Sequence, residues 1–278
     1  MKKISRRSFL AAAGLSVAAL ALTACGGSAS SVASSVASSA SSAAASTSAA
    51  AGELTTVEAG KLTMATNAAF PPYEMTTDAG EFEGIDIETA QAIADKLGLE
   101  LQIDDMDFDA ALLSVQQGKA DIVMAGVTVT DERKAVMDFS DSYATGIQSI
   151  IVPEGSDIAS PDDLAGKKIG TQRGTTGYIY CSDDFGDENV VAYDDGLTAV
   201  QALNNGQVDA VVIDNAPAQE FIAANPGLKI LDTSYAEEDY AIGMAKGSSL
   251  EDAVNAALKE LKADGTLQSI VDKYITAE

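Results

Sequence analysis

Hydrophobic residues alternate with polar ones, or recur every three to four positions, along most of the chain after residue 60. Alternation over 61–66 and 99–103 predicts two β-strands, because successive side chains of a strand point to opposite faces. Apolar residues at helical spacing predict helices over 85–97 and 107–117, and a glycine follows each one. The apolar run 120–125 predicts a buried strand. This order of elements is typical of parallel βαβ units.

A second set of elements follows in the same order. The pattern predicts a strand over 168–171, a helix over 196–205 and a strand over 208–213, and two final helices over 250–263 and 266–275. We therefore expect an α/β fold with two lobes, each a mostly parallel sheet flanked by helices.

One short pattern occurs in both predicted lobes. Residues 113–126 and 203–214 each contain a helix end, a glycine, an aspartate three residues later and an apolar strand. Shared βαβ composition alone could produce this likeness. The two strands run towards Gly126 and Asp214, and ligands of open α/β sheets bind at the carboxyl ends of strands. We expect these two residues to face one molecule from opposite lobes.

The first 25 residues have the layout of a secretory signal peptide, with basic residues followed by an apolar stretch over 9–22. This stretch is too short to span a bilayer as a helix. Residues 22–25 resemble a lipobox, in which Cys25 receives a diacylglycerol after residues 1–24 are removed. An ordinary signal peptide that contains a cysteine is the alternative. Residues 5–10 resemble a twin-arginine export signal, although paired basic residues also occur in Sec signals.

Residues 25–52 are small and uncharged, which predicts a flexible tether. The folded domain is then expected over 53–278, anchored by the lipid on Cys25 to the outer face of the cell membrane. If Cys25 is acylated, Cys181 remains as a free thiol, and a small buried hydrophobic role suits it best.

The charge balance excludes several classes of function. Lys and Arg number 17 against 42 Asp and Glu, which gives a formal charge of −25, and the chain contains no His. Such a field repels phosphate backbones, so we expect no nucleic-acid partner. A histidine triad and a histidine zinc site are absent, and two cysteines provide no metal or redox motif. We expect neither a metal nor another cofactor.

The stretch after Gly126 contains a candidate anion site. Thr130 is expected to cap a short helix whose first turn carries Asp131 and Glu132. Arg133 follows them, and its planar fork of donors beside threonine hydroxyls and backbone N–H groups suits a ligand carboxylate. A surface ion pair with a neighbouring acid is the alternative.

The segment AGVTVTDERKAVMDFSDSY resembles the signature of the extracellular substrate-binding proteins of polar amino-acid ABC transporters, the glutamine-, histidine- and arginine-binding family. Segments beginning at residues 65, 84, 170 and 209 match the same family in order, so the resemblance covers about 60–275. It implies a periplasmic-binding-protein-like fold with two hinge crossings. It also implies a monomer that captures a polar amino acid and delivers it to a membrane permease.

The resemblance also implies roles for individual residues. Arg133 would bind the ligand's α-carboxylate with two hydrogen bonds, helped by Thr128 and by backbone N–H groups near Thr128 and Thr176. Asp214 would accept the α-ammonium group, together with the carbonyl of Gly126. Other positions match residues that flank the ligand's side chain, touch its polar end or line the cleft: Phe70 and Phe108, Asn67 and Gln172, and Thr175. Core packing is the alternative for the two phenylalanines.

Asn67 stands where binders of basic amino acids commonly have an acid, so we expect a neutral polar ligand, glutamine first. The negative net charge argues the other way, because it attracts cationic ligands over long range. The lobes are expected over 54–145 with 238–278, and over 149–233. Crossings near 144–150 and 233–240 would join them.

Two other functions share this fold. A cyclohexadienyl-dehydratase-like enzyme would need a carboxylic acid in the cleft besides Asp214. The polar positions Asn67, Gln172, Thr175 and Thr176 are not good general acids or bases at neutral pH. A ligand-sensing partner of a signalling protein is the second. We expect a binding protein and not an enzyme.

Overall fold

The computed structural model describes residues 54–275. The expected signal peptide, the lipid site at Cys25 and the tether lie outside the described residues. Within 54–275, the helices are too short or too polar to cross a membrane.

Strands and helices alternate along most of the described chain. The strands are β1 (Lys61–Thr66), β2 (Ala69–Phe70), β3 (Glu74–Thr76), β4 (Phe82–Glu83), β5 (Glu100–Asp105), β6 (Ile122–Val123), β7 (Met137–Phe139), β8 (Ala144–Pro153), β9 (Ile169–Gln172), β10 (Val190–Tyr193), β11 (Ala210–Asp214), β12 (Leu228–Ile230), β13 (Ala236–Tyr240) and β14 (Gly243–Ala245). The helices are α1 (Ile85–Leu97), α2 (Phe108–Gln116), α3 (Asp131–Val136), α4 (Thr176–Phe185), α5 (Gly196–Asn204), α6 (Asn215–Ala224), α7 (Glu251–Ala263) and α8 (Thr266–Tyr274).

Two sheets form the two lobes. The first has the order β5-β1-β6-β14-β7, and the second has the order β10-β9-β11-β8-β12, with β13 also paired to β8. The first three strands of each order are parallel, as βαβ units require. The remaining strand pairs of both sheets are antiparallel, because their strands carry the chain between the lobes or return it to a sheet. Each sheet is therefore mixed.

The chain crosses between the lobes at β8 and β13. The two strands pair in antiparallel fashion. Gln148 lies opposite Ala236 at one end of the pairing, and Ala144 lies opposite Tyr240 at the other. Tyr240 also forms an isolated bridge with Thr128, beyond the end of β6 in the first lobe. The two crossings thus lie side by side at the junction of the sheets, on the segments where the sequence predicts them.

The repeated sequence pattern has a common structural basis in the two lobes. Asp121, just before β6, accepts a hydrogen bond from the backbone N–H of Thr63 in β1 at 2.8 Å. Asp209, just before β11, accepts one from the backbone N–H of Lys168 beside β9 at 2.7 Å. Each aspartate therefore ties the start of one central strand to its parallel neighbour.

Several predicted boundaries agree with the structure, and others do not. Helix α1 covers the predicted range and ends at Gly98, whose φ of 71° is in the left-handed region. The strand expected over 120–125 is reduced to β6, because only two of its residues are in strand register with β1 and β14. Helices α4 and α6 and the small sheet of β2, β3 and β4 were not predicted. Their short segments lack a sustained apolar repeat.

Candidate functional site

A cavity lies between the two lobes. Residues of both sheets and of the crossing strands line it. The lining includes all ten residues that the sequence assigns to ligand contact: Asn67, Phe70, Phe108, Gly126, Thr128, Arg133, Gln172, Thr175, Thr176 and Asp214. The structure brings these ten residues together, and their contacts with a ligand remain predictions.

Helix α3 positions Arg133. The hydroxyl of Thr130 accepts a hydrogen bond from the backbone N–H of Arg133 at 3.1 Å, which is the expected N-cap. The guanidinium donates to the carbonyl oxygens of Thr128 at 2.8 Å and Gly174 at 3.1 Å. It also lies 5.3 Å from the centre of the Phe108 ring. These contacts hold a cation in the cleft with its direction fixed.

The charge of Arg133 is buried and unpaired. The residue is 8% exposed, and within 54–275 no carboxylate oxygen lies within 4.0 Å of it. The surface ion pair considered for Arg133 is therefore absent. Burial lowers the pKa of Arg133 below its ordinary value, although the negative charge of Glu238 acts in the opposite direction. A buried cation without an ion-pair partner is costly. An anionic ligand group beside the guanidinium would remove this cost.

The amino end of α4 adds a second feature that favours an anion. Thr175 caps this helix by accepting a hydrogen bond from the backbone N–H of Tyr178 at 3.3 Å. The first N–H groups of a helix lack intrahelical acceptors, and the helix dipole makes this end positive. Thr175 and Thr176 both line the cleft, so this end of α4 faces the same space as Arg133.

Asp214 supplies the opposite charge. It ends β11 and caps α6, and its carboxylate accepts hydrogen bonds from the backbone N–H groups of Ala216 at 3.2 Å and Ile147 at 2.7 Å. Asp214 is 2% exposed, and burial raises its pKa to about 6. Within the described chain it has no cationic partner. Arg133 and Asp214 thus bring one cation and one anion to the cleft, each without an ion-pair partner among residues 54–275.

Two aromatic side chains form apolar walls of the cleft. Phe70 stacks on Tyr73 with ring centres 6.0 Å apart, and a β-carbon on Gly126 would come within 2.9 Å of its ring. Phe108 also packs with Ala111 in the core of the first lobe. Both phenylalanines are buried in the core and also line the cleft, and their contact with a ligand stays a prediction.

Asn67 and Gln172 meet across the cleft. The side-chain Nε2 of Gln172 donates to Oδ1 of Asn67 at 2.8 Å, and Nδ2 of Asn67 donates to the carbonyl of Met106 at 3.0 Å. The sequence places both residues near one end of a ligand but does not predict this bond. The bond joins the lobes with two uncharged groups.

Glu74 is a cleft residue that the sequence argument missed. It lines the cavity and is fully buried, beside Asp86. Burial and the nearby negative charge of Asp86 raise the pKa of Glu74 well above 4.5, which favours the protonated acid. The structure therefore adds to the cleft an acid that the sequence does not place there. The only sequence signal is a glutamate directly after Pro-Pro-Tyr.

Comparisons with known proteins agree with this architecture. The profile of the bacterial extracellular solute-binding proteins, family 3, matches residues 62–277. The L-cystine-binding protein TcyJ of Escherichia coli K12 is 33% identical over 226 residues, which cover 80% of this chain and 85% of TcyJ.

Two solved structures are also similar to this chain. An ancestral arginine-binding protein bound to arginine has 42% identity and a TM-score of 0.74, and the match covers 78% of this chain and 98% of that one. An ancestral arginine-binding protein bound to glutamine has 41% identity and a TM-score of 0.75, with 78% and 99% covered.

Proposed function

Because this chain belongs to the bacterial extracellular solute-binding proteins, family 3, we propose that it captures one free amino acid between its lobes and delivers it to an ABC transporter permease. The chain is a binding protein and not an enzyme. The specific ligand, the permease and the membrane anchor are the proposed parts.

The unpaired charges of Arg133 and Asp214 are the observation that carries the proposal. An α-amino acid presents a carboxylate and an ammonium group on one carbon atom, so it can pair with both residues at once. Each ion pair would form in a buried cleft, where electrostatic attraction is stronger than in water. The amino end of α4 would add N–H donors to the carboxylate.

The positions of the two charges also account for capture. Arg133 follows β6 and precedes the first crossing strand, whereas Asp214 ends β11 in the second sheet. A ligand that pairs with both charges gains its full set of contacts only when the lobes are together. Its binding therefore shifts the equilibrium towards the closed form, and the permease would recognise that form.

The remaining lining favours a neutral polar side chain, with glutamine first. Asn67 and Gln172 are uncharged, and Glu74 has a raised pKa that favours its neutral form. Among the residues that line the cavity, Arg133 and Asp214 are then the charged pair, and they balance the zwitterion. The similar proteins are named for cystine and for arginine, and an ancestral arginine-binding protein is bound to glutamine, so the screen below includes charged ligands.

We also propose that the protein works outside the cytoplasm, tethered to the outer face of the membrane. The support is the signal-like segment over 1–24, the lipobox-like cysteine at position 25 and the uncharged stretch over 25–52. Mass spectrometry of the protein from its native membrane would show a diacylated amino-terminal Cys25. An uncleaved or unmodified chain would contradict the anchor.

The experiment that tests binding is a melting screen against the twenty amino acids, with protein refolded to remove any bound ligand. A ligand that binds only the folded state raises the melting temperature. We expect a clear rise with one or a few polar amino acids and no rise in the Asp214→Asn variant. No rise with any amino acid would contradict the proposed function.

A further inference from the structure

Glu238 lies at the centre of a hydrogen-bond network that the proposed binding contacts leave unexplained. It belongs to crossing strand β13 and is 6% exposed. Its Oε2 atom accepts three hydrogen bonds: from the hydroxyl of Thr128 at 3.1 Å, the hydroxyl of Thr176 at 3.0 Å and Nε2 of Gln148 at 3.0 Å. One carboxylate oxygen thus receives three donors.

The three donors come from different parts of the fold. Thr128 follows β6 in the first lobe, Thr176 begins α4 in the second lobe, and Gln148 belongs to crossing strand β8. Movement of the lobes apart would separate Thr128 from Thr176, so at least one hydrogen bond to Glu238 would break. Glu238 therefore connects lobe closure to the crossing strands.

The network also constrains which way each polar group faces. The hydroxyls of Thr128 and Thr176 lie 3.4 Å apart, farther than either lies from Oε2 of Glu238, so donation to the carboxylate is favoured. A threonine hydroxyl has a single proton, and an ionised carboxylate only accepts hydrogen bonds. When Thr128 and Thr176 donate to Glu238, only their lone pairs remain for a ligand. In the same way, Gln148 uses its NH₂ group on Glu238, and its Oε1 is buried without a partner although Gln148 lines the cleft.

We infer that Glu238 is a positioning residue that turns Thr128, Thr176 and Gln148 into hydrogen-bond acceptors and holds the two lobes together through them. This inference rests on the proposed function, because the acceptors then serve the ligand's ammonium group beside Asp214. The carboxylate is left to Arg133 and to backbone N–H groups. The family resemblance implies that Thr128 helps to bind the ligand's carboxylate. We assign its hydroxyl instead to the ammonium group.

The test compares Glu238→Leu, Glu238→Gln and a matched control, Glu237→Leu. Glu237 is the neighbouring acid on β13, but it is exposed, so its loss changes the net charge equally without touching the network. Titration calorimetry would use L-glutamine and L-arginine as probes. Small-angle scattering without amino acid would report how far the lobes separate.

We expect Glu238→Leu to weaken binding about tenfold or more, since it removes charge-assisted hydrogen bonds, and to increase the radius of gyration. Glu238→Gln keeps one acceptor oxygen and should fall between Leu and the wild type. Glu237→Leu should match the wild type. Thr128→Val should cost less in the Glu238→Leu background than in the wild type, because both changes remove the hydrogen bond between Thr128 and Glu238.

Wild-type affinity and scattering in Glu238→Leu would overturn the inference, and so would equal effects of Glu238→Leu and Glu237→Leu. If circular dichroism shows that Glu238→Leu does not fold, the affinity and scattering of Glu238→Gln and Thr176→Val test the inference instead. Wild-type values in both variants would overturn the inference. If neither probe binds the wild type, the binding proposal fails for these ligands, and scattering alone still tests the link to closure.

Discussion

Gln172 in the second lobe donates a 2.8 Å hydrogen bond to Oδ1 of Asn67 in the first lobe. Both side chains line the cleft, and both have a second bond to a backbone carbonyl. The pair is therefore fixed, uncharged and made only when the lobes meet. It gives the cleft a neutral polar end, which supports the proposed ligand with a neutral polar side chain.

Asn67→Asp should move selectivity towards cationic amino acids. The change places a carboxylate at this end with almost no change in size, and a buried carboxylate attracts a cation strongly. We expect the ratio of affinities for arginine and glutamine to rise at least about tenfold, measured by titration calorimetry. Asn67→Leu is the control of similar size, and it should weaken both ligands. An unchanged ratio in Asn67→Asp would show that Asn67 does not face the side chain.

Arg133→Ala should abolish measurable binding, because it leaves the ligand's carboxylate buried without a cation, at a cost of about 3–5 kcal/mol. Arg133→Lys keeps the charge but loses the planar fork, so it should recover only part of the affinity. Lys134→Ala is the matched control, since Lys134 is the adjacent exposed residue in α3. Near-native affinity in Arg133→Ala would remove Arg133 from the site.

Binding should weaken as the pH falls below about 6. Burial raises the pKa of Asp214 to about 6, and the protonated acid cannot pair with an ammonium group. Each further pH unit should lower the affinity by up to about tenfold. Calorimetry of the wild type between pH 4 and 8 measures this slope. A flat profile in the wild type would contradict the pairing.

The same pKa has a consequence for stability without ligand. Because the folded pKa exceeds the ordinary value of 3.8, ionisation of Asp214 favours the unfolded state as the pH rises from about 4 to 6. The loss amounts to about 3 kcal/mol of unfolding free energy. Urea unfolding across this range should show a smaller pH-dependent loss in Asp214→Asn. An identical pH dependence in both proteins would contradict the raised pKa.

Gly126→Ala should destabilise the protein more than Gly118→Ala. Both glycines have positive φ, so both changes carry backbone strain of about 1–2 kcal/mol. A β-carbon on Gly126 would also approach the rings of Phe70 to 2.9 Å and Tyr240 to 3.2 Å, whereas Gly118 faces open space. Gly126→Ala should therefore unfold at lower urea concentration and lose affinity. Equal midpoints with wild-type affinity would contradict the tight contact.

The sequence could predict the fold class and the regular elements, because helical spacing and strand alternation are properties of the chain itself. Helix α1 and its stop at Gly98 are the clearest cases. The sequence could not predict α4, whose TGYIYCSDDF segment lacks an apolar repeat and depends on packing of Cys181 and on the Thr175 cap.

Family resemblance predicts the ten cleft residues named above. It does not predict Glu74 or Glu238, and these two show what such motifs omit. Glu74 carries no local sign of burial, since its environment comes from Asp86 on a different element. Glu238 has a weak signal, because it alternates with exposed Glu237 and Asp239 along β13. Its three donors come from distant segments, so only the assembled fold reveals them.

The most direct measurement is titration calorimetry with the best amino acid of the melting screen and two of its analogues. One analogue lacks the α-amino group, and the other carries an amide in place of the α-carboxylate. Opposed, unpaired charges on Arg133 and Asp214 predict tight binding of the amino acid and at least about a hundredfold weaker binding of each analogue. Comparable affinity for either analogue would contradict recognition of a zwitterion.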